Sequence, residues 1–320
     1  YEIPLCDWSS DVCSSDLFYR GESPKAHEMY RLIEMIACAD ISVLLRGASG
    51  TGKEHIAAEI HARSHRKNKP YLAIDCGAIS DELAASEFFG HQKGAFTGAE
   101  SDKVGLFRAV NGGTLFLDEI GNLSYKTQML LLRALQEKRC KPVGSTKEYS
   151  FDIRLVAATN ENLEKAIGEG RFREDLFHRL NEFTLRIPTL AECREDILPL
   201  AYFFLKLTCA KAHKSFRGFD RLAEAALLEY PWPGNIRELK NVIGRAVLIC
   251  QEQWISVSDL NLEISLPKEE ETQWTEEEKE KALLLQTLEK TGDNRSKAAR
   301  LLNVSRTTLY EKLRKYHIID

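Results

Sequence analysis

The segment Gly47-Ala48-Ser49-Gly50-Thr51-Gly52-Lys53-Glu54 sets glycines ahead of a lysine at a spacing suited to wrapping backbone around phosphate. Glycine lets successive N–H groups turn toward phosphate oxygens, the start of a following helix adds its dipole, and Lys53 can reach the β- and γ-phosphates. Gly47, Ser49, Gly50, Thr51, Gly52, Lys53 and Glu54 are therefore expected to line a nucleotide. Glu54 departs from the pattern, because a hydroxyl residue usually stands there to bind magnesium. Downstream, Leu115-Phe116-Leu117 runs into Asp118-Glu119. Acids at the carboxyl end of a buried parallel strand sit where α/β proteins bind ligands. Asp118 is expected to hold Mg2+, directly or through water, and Glu119 to polarise the water that attacks the γ-phosphate of ATP.

These residues need a scaffold, and the surrounding pattern supplies one. The apolar, β-branched run 41–45 feeds the glycine loop, and 56–63 has helical spacing, giving strand, phosphate loop and helix. Further strands are predicted at 71–76 and at 153–158, the latter ending in Thr159-Asn160. Pro188 closes this α/β core. Beyond it, 198–211 and 221–230 show helical apolar spacing, and Pro231-Trp232-Pro233-Gly234 forces a turn into a helix that carries Arg237 near its start. Between the two halves of the nucleotide site lies a helical insertion, 81–108, with Gly94-Ala95-Phe96-Thr97-Gly98-Ala99 inside it. That run is too rich in glycine for a helix or strand interior and has no chemical use at a nucleotide site. It reads as a flexible tip presenting one aromatic and one hydroxyl to a partner.

Over 320 residues, 43% hydrophobic and 29% charged residues are ordinary globular usage, enough for two or three domains with sizeable cores. A net charge of -4 excludes wholesale coating of nucleic acid, but charge is unevenly spread. Residues 268–281 hold seven Glu and three Lys, whereas 293–320 hold seven Lys or Arg against three acids, so an acidic linker leads into a basic module. Helices are predicted there at 282–290, 296–302 and 307–315, with Asn303-Val304-Ser305 as the tight turn of a helix-turn-helix. Ser305 caps the recognition helix, and Arg306, Thr307, Thr308, Tyr310, Lys312 and Arg314 are expected to contact phosphates and base edges of double-stranded DNA. The eight cysteines form no CxxC pair, which fits reduced cytoplasmic thiols better than a zinc site or disulfide framework. No apolar run is long enough for a bilayer, so no membrane partner is expected. Residues 1–17 carry a near-repeat of Ser-Ser-Asp and resemble translated sequencing-adapter sequence. They are expected to be non-native or disordered, and a receiver or sensory domain ahead of Phe18 stays an open alternative.

In their order along the chain, the phosphate loop, the Gly94–Ala99 run, the acidic strand and the basic C-terminal module resemble the bacterial enhancer-binding proteins. These are AAA+ ATPases that activate RNA polymerase carrying sigma-54. The resemblance implies an α/β AAA+ fold with a parallel sheet and a helical lid, joined to a small all-α helix-turn-helix domain of the Fis type. Expected boundaries are 18–188 for the core, 189–262 for the lid, 263–281 for the linker and 282–320 for the DNA-binding domain. Asn160 matches the family's sensor position, Arg173 and Arg179 its arginine fingers, and Arg237 its second sensor. Gly94, Ala95, Phe96, Thr97, Gly98 and Ala99 match the loop that contacts sigma-54, with 87–91 as its supporting arm. Family members commonly have Asn where this chain has Asp75, so a switch acting on the catalytic acid is expected to be altered.

The resemblance implies an activator that binds enhancer DNA, assembles into a homo-oligomeric ring of six, and spends ATP on opening the sigma-54 polymerase complex. An alternative is a DNA-binding regulator of the same descent with weak or lost ATPase activity, which Asp75 alone supports. A third is a general AAA+ remodeller, which would need neither the Gly94–Ala99 run nor a sequence-reading C-terminus.

Overall fold

The computed structural model describes residues 19–262 and Arg314. The chain divides into two compact units, Tyr1–Leu262 and Glu263–Asp320. The expected linker and DNA-contacting residues Ser305, Arg306, Thr307, Thr308, Tyr310 and Lys312 lie outside the described residues, as do residues 1–17; Arg314 is helical and exposed.

The chain enters through α1 (Pro24–Ala37), which Ser23 caps by accepting the Ala26 N–H, with proline at the first helical position. Then follow β1 (Val43–Arg46), α2 (Lys53–Ala62), β2 (Tyr71–Asp75), α3 (Asp81–Phe89), and the two-residue strands β3 (Gly90–His91) and β4 (Lys103–Val104). After these come α4 (Leu106–Ala109), β5 (Thr114–Asp118), α5 (Tyr125–Glu137), β6 (Arg139–Cys140) and β7 (Tyr149–Ser150). The core closes with β8 (Arg154–Thr159), α6 (Leu163–Gly168), α7 (Glu174–Leu180) and β9 (Phe183–Arg186). The lid holds α8 (Ile197–Ala212), β10 (Gly218–Phe219), α9 (Arg221–Glu229), α10 (Asn235–Ile249), β11 (Trp254–Ile255) and α11 (Val257–Leu260).

The main sheet is wholly parallel, in the order β2-β5-β8-β1-β9. Its central strands are apolar on both faces, as a sheet covered by helices on two sides requires. Leu44, Leu115, Leu117, Leu155 and Ala157 point into a core with Phe88, Phe107 and Leu131. Their neighbours Val43, Leu45, Phe116, Val156 and Ala158 point the other way, onto Ile33, Ile56 and Ile60. This alternation of period two fixes the register and so brings the carboxyl ends of β1, β5 and β8 to one edge.

Two expectations need correction. The insertion over 81–108 is helical only at its flanks; its middle is the antiparallel pair β3–β4 with a turn between. Glycine causes this: Gly90 takes a left-handed φ of 83°, and a Cβ on Gly105 would run into the Phe89 backbone. The strand expected over 71–76 ends at Asp75, whose carboxylate accepts the Gly77 N–H and starts a 3-10 turn at Cys76.

In the lid, α8 and α10 pack around Trp232, whose indole N–H donates to the Leu227 carbonyl at 2.9 Å. Removing that ring leaves a cavity at the base of α10. Trp232→Ala is expected to cost about 3–5 kcal/mol, read as faster hydrogen exchange of the α10 amides while those of β5 and β8 keep their protection.

Candidate functional site

The loop Gly47–Gly52 joins β1 to α2 at the carboxyl edge of the sheet, with Gly50 and Gly52 at φ values of 78° and 89° that favour glycine. Thr51 Oγ donates to the Ala48 carbonyl at 2.9 Å. Lys53, the first residue of α2, is buried and donates its Nζ to the carbonyls of Gly47 and Ala48 at 3.1 and 3.2 Å. Burial pulls its pKa below the usual lysine range, partly offset by the carboxylates of Asp118 and Glu119. Glu54 is exposed in the first turn of α2, where an acid suits the helix dipole.

Lid residues grip this loop directly. Asn235 is 2% exposed and takes a left-handed φ of 52°; its amide donates to the Ser49 carbonyl at 3.0 Å and its Oδ1 accepts the Leu190 N–H at 3.0 Å. Arg237 donates its backbone N–H to the Gly50 carbonyl and its Nη1 to Ser49 Oγ, each at 3.2 Å. A Cβ on Gly50 would strike the Gly234 carbonyl oxygen, so glycine is required there by close approach as well as by φ. Sequence reasoning singled out Arg237 and missed Asn235. Its signal lay only in an Asn after a Pro-Gly turn, where a left-handed residue is tolerated.

At the end of β5, Asp118 Oδ1 accepts the Glu119 N–H at 2.9 Å, and Glu119, at φ 50°, accepts from the Asn122 amide at 2.8 Å. Asp75 and Asp118 are register partners on β2 and β5. Buried Cys76 beside them has its thiol pushed up to about 12, by burial first and then by the charges of Asp75, Asp118 and Glu119. Asp75 turns its carboxylate to its own Gly77 N–H at 2.8 Å, while Glu119 Oε2 lies 3.5 Å and Asp75 Oδ1 3.2 Å from the point a Cβ on Gly77 would occupy. Asn160 stands exposed at the end of β8, on the same edge. Among the described residues no cluster of three or more His, Cys, Asp or Glu could hold a metal by itself. The donor set suits Mg2+ bound through one carboxylate and phosphate oxygens.

Arg173 precedes α7 and Arg179 lies near its end. Arg173 pairs with Asp175 at 2.7 Å and lies over the Tyr125 ring at 5.0 Å; Arg179 reaches Glu182 at 3.4 Å and the Leu135 carbonyl at 3.5 Å. Among the described residues neither arginine is hydrogen-bonded to the phosphate loop of its own chain.

The Gly94–Ala99 run forms a compact turn, with Gly94 N–H on the Ala99 carbonyl and Ala99 N–H on that of Phe96. Phe96 is half-buried and edge-on to His91, ring centroids 5.0 Å apart, while Thr97 is exposed. The expected tip thus shows its hydroxyl and stows its aromatic. His91 itself is held by Ser86 Oγ at 2.7 Å and bridges to Val143, within the β6–β7 connection. In that turn a Cβ on Gly144 would come 2.8 Å from Ala95.

Beside the loop, a cleft of about 960 Å3 is lined by Ser49, Lys211, Arg237, Lys240 and Arg245. A narrow apolar crevice of about 60 Å3 runs between Thr51, Ile56, Pro188, Leu190 and Ile236. Its walls come from separated segments, so no single stretch of sequence announced it.

Residues 19–186 match the family model described as sigma-54 interaction domain, 191–277 the AAA+ ATPase lid domain, and 276–316 the bacterial regulatory protein, Fis family. The chain is 44% identical to transcriptional regulatory protein ZraR of Klebsiella oxytoca over 299 residues, spanning 92% of this chain and 68% of that protein. It is 46% identical over 252 residues to the sigma54-dependent transcriptional activator SfnR of Pseudomonas putida, spanning 78% and 69%. Among solved structures, NtrX from Brucella abortus superposes with a TM-score of 0.72 in complex with ADP and 0.70 in complex with ATP, at 32% and 33% identity. Those alignments span 93% and 92% of this chain and 69% and 68% of NtrX.

Asn235→Ala strips partners from the buried Leu190 N–H and from the Ser49 carbonyl, and leaves a residue with no side-chain hydrogen bond at positive φ. Its Kd for a fluorescent ATP analogue is expected to rise about tenfold, with circular dichroism unchanged.

Proposed function

Because the chain belongs to the sigma-54 interaction family of AAA+ transcriptional regulators, we propose that it binds enhancer DNA and drives the sigma-54 polymerase open by hydrolysing ATP in a ring of six. The observation that carries this reading is continuity. The segment bearing Phe96 passes through β4 and α4 straight into β5, whose end bears Asp118 and Glu119. A change at the γ-phosphate therefore has a short, packed route to the prong, through Phe107 and the core beneath β5.

In this scheme the phosphates enter the Gly47–Gly52 loop and Lys53 exchanges its bonds to the Gly47 and Ala48 carbonyls for β- and γ-phosphate oxygens. The base lies in the crevice by Ile56, Pro188 and Ile236. Asp118 holds Mg2+, which neutralises charge on the phosphates when bound. Glu119 accepts a proton from the attacking water, and Asn160 orients that water or the γ-phosphate. Arg173 and Arg179 act across a subunit boundary, where a guanidinium on the transferring phosphoryl group is worth on the order of a thousandfold in rate. Arg237 reports phosphate loss to the lid. With nucleotide in place Phe96 leaves His91 and, with Thr97, meets sigma-54. The 276–316 segment brings the protein to DNA, and the whole works in the cytoplasm, where polymerase and promoter are.

Two variants test separate parts of this account. Glu119→Gln should lower ATP turnover by about a hundredfold or more while nucleotide binding persists. Phe96→Ala should keep turnover and lose sigma-54 binding in the presence of ADP–aluminium fluoride; unchanged binding would favour a general remodeller.

A further inference from the structure

The two arginines at α7 are not held alike. Arg179 reaches Glu182 and the Leu135 carbonyl only at 3.4 and 3.5 Å. Arg173 is fixed on three sides. Asp175 accepts from its Nε at 3.0 Å and its Nη2 at 2.7 Å, the two-pronged geometry that a guanidinium fork favours. The guanidinium also lies over the Tyr125 ring, 5.0 Å from its centroid. The Arg173 backbone N–H donates to Gln128 Oε1 at 2.9 Å, and the amide of this fully buried glutamine donates to the carbonyls of Leu123 at 2.8 Å and Arg171 at 3.0 Å. Tyr125 and Gln128 share one face of α5 at i and i+3, so a single helix grips both the ring-facing side chain and the backbone of Arg173. Tyr125 is 53% exposed, so core packing does not account for its ring.

We infer that Tyr125 is a positioning residue for a trans-acting Arg173: its ring fixes the plane of the guanidinium, Gln128 fixes the backbone that bears it, and the Nη1 edge is kept for the γ-phosphate of a neighbouring subunit. The inference rests on the reading of Arg173 as a finger in the proposed ring. Arginine carries its N–H donors in one plane; Asp175 takes the Nε edge, and among the described residues Nη1 has no partner. A long side chain crossing a subunit boundary otherwise samples many rotamers, and holding it beforehand lowers the entropy lost when it meets phosphate. An aromatic face does this without consuming a donor, which a second carboxylate would. Tyr125 acts only through Arg173, so its loss should fall on turnover and spare nucleotide affinity.

The test is steady-state ATP hydrolysis by the full chain. Tyr125→Ala is expected to lower kcat about three- to tenfold with KM for ATP within about twofold of wild type, and Tyr125→Phe, which keeps the ring, to stay within about twofold on both. Because the finger serves the neighbour, Glu119→Gln subunits, which hydrolyse little but carry a well-held Arg173, should mend the defect. In a large excess of them, turnover by Tyr125→Ala subunits should come within about twofold of turnover by wild-type subunits in the same excess. Wild-type kcat in Tyr125→Ala, an equal loss in Tyr125→Phe, or a deficit that excess Glu119→Gln leaves unchanged would overturn the inference. Wild-type turnover in Arg173→Ala alone would remove the finger assignment itself, a failure visible before Tyr125 is touched.

Discussion

The fold depends on one grip, that of the lid turn on the phosphate loop. Asn235 ties the Ser49 carbonyl to the Leu190 N–H, joining the loop to the first residues after the core, and Arg237 adds bonds to Gly50 and Ser49. Asn235 and Leu190 are buried, so losing the bond between them would leave a desolvated N–H without a partner. The left-handed backbone of Trp232 and Asn235 is maintained because the indole is anchored in the lid core while the amide is anchored in the loop. The conformation of the Gly47–Gly52 loop and the orientation of α8 and α10 therefore cannot vary independently.

A second linkage runs from the same site to the prong. The prong is stowed by ring contact with His91 and by close packing of Ala95 on Gly144, so two insertions, at β3–β4 and at β6–β7, hold each other down. Neither contact is extensive. One edge-on aromatic pair is worth about 0.5–1.5 kcal/mol, within reach of the differential binding energy of a γ-phosphate. Weak restraint at the tip and firm restraint at the loop is the arrangement a transmitted conformational change requires.

Much of this was legible from residue order. Glycine spacing gave the phosphate loop, an apolar run ending in two acids gave β5, and burial of β1, β5 and β8 on both faces follows from the apolar runs 43–45, 115–117 and 155–158. Long-range pairings escaped. Asn235 finds Ser49 across most of the chain, and Phe96 finds His91 only after β3 and β4 pair, so neither contact leaves a local pattern. Arg154 is similar: it sits buried in β8, where an apolar residue would be predicted, because it donates to the last carbonyls of α1 at Ile36 and Ala37. Asp75 reads in the sequence only as a departure from the family's Asn; in the fold it caps the turn at Cys76.

In the proposed mechanism, nucleotide at the phosphate loop lifts Phe96 from His91. Spin labels on Thr97 and Thr146, both exposed, would measure the separation of the two insertions directly in the full chain. Adding a non-hydrolysable ATP analogue should lengthen that distance, and ADP should leave it short. A distance distribution identical with and without the analogue, under conditions where the analogue is bound, would contradict the account.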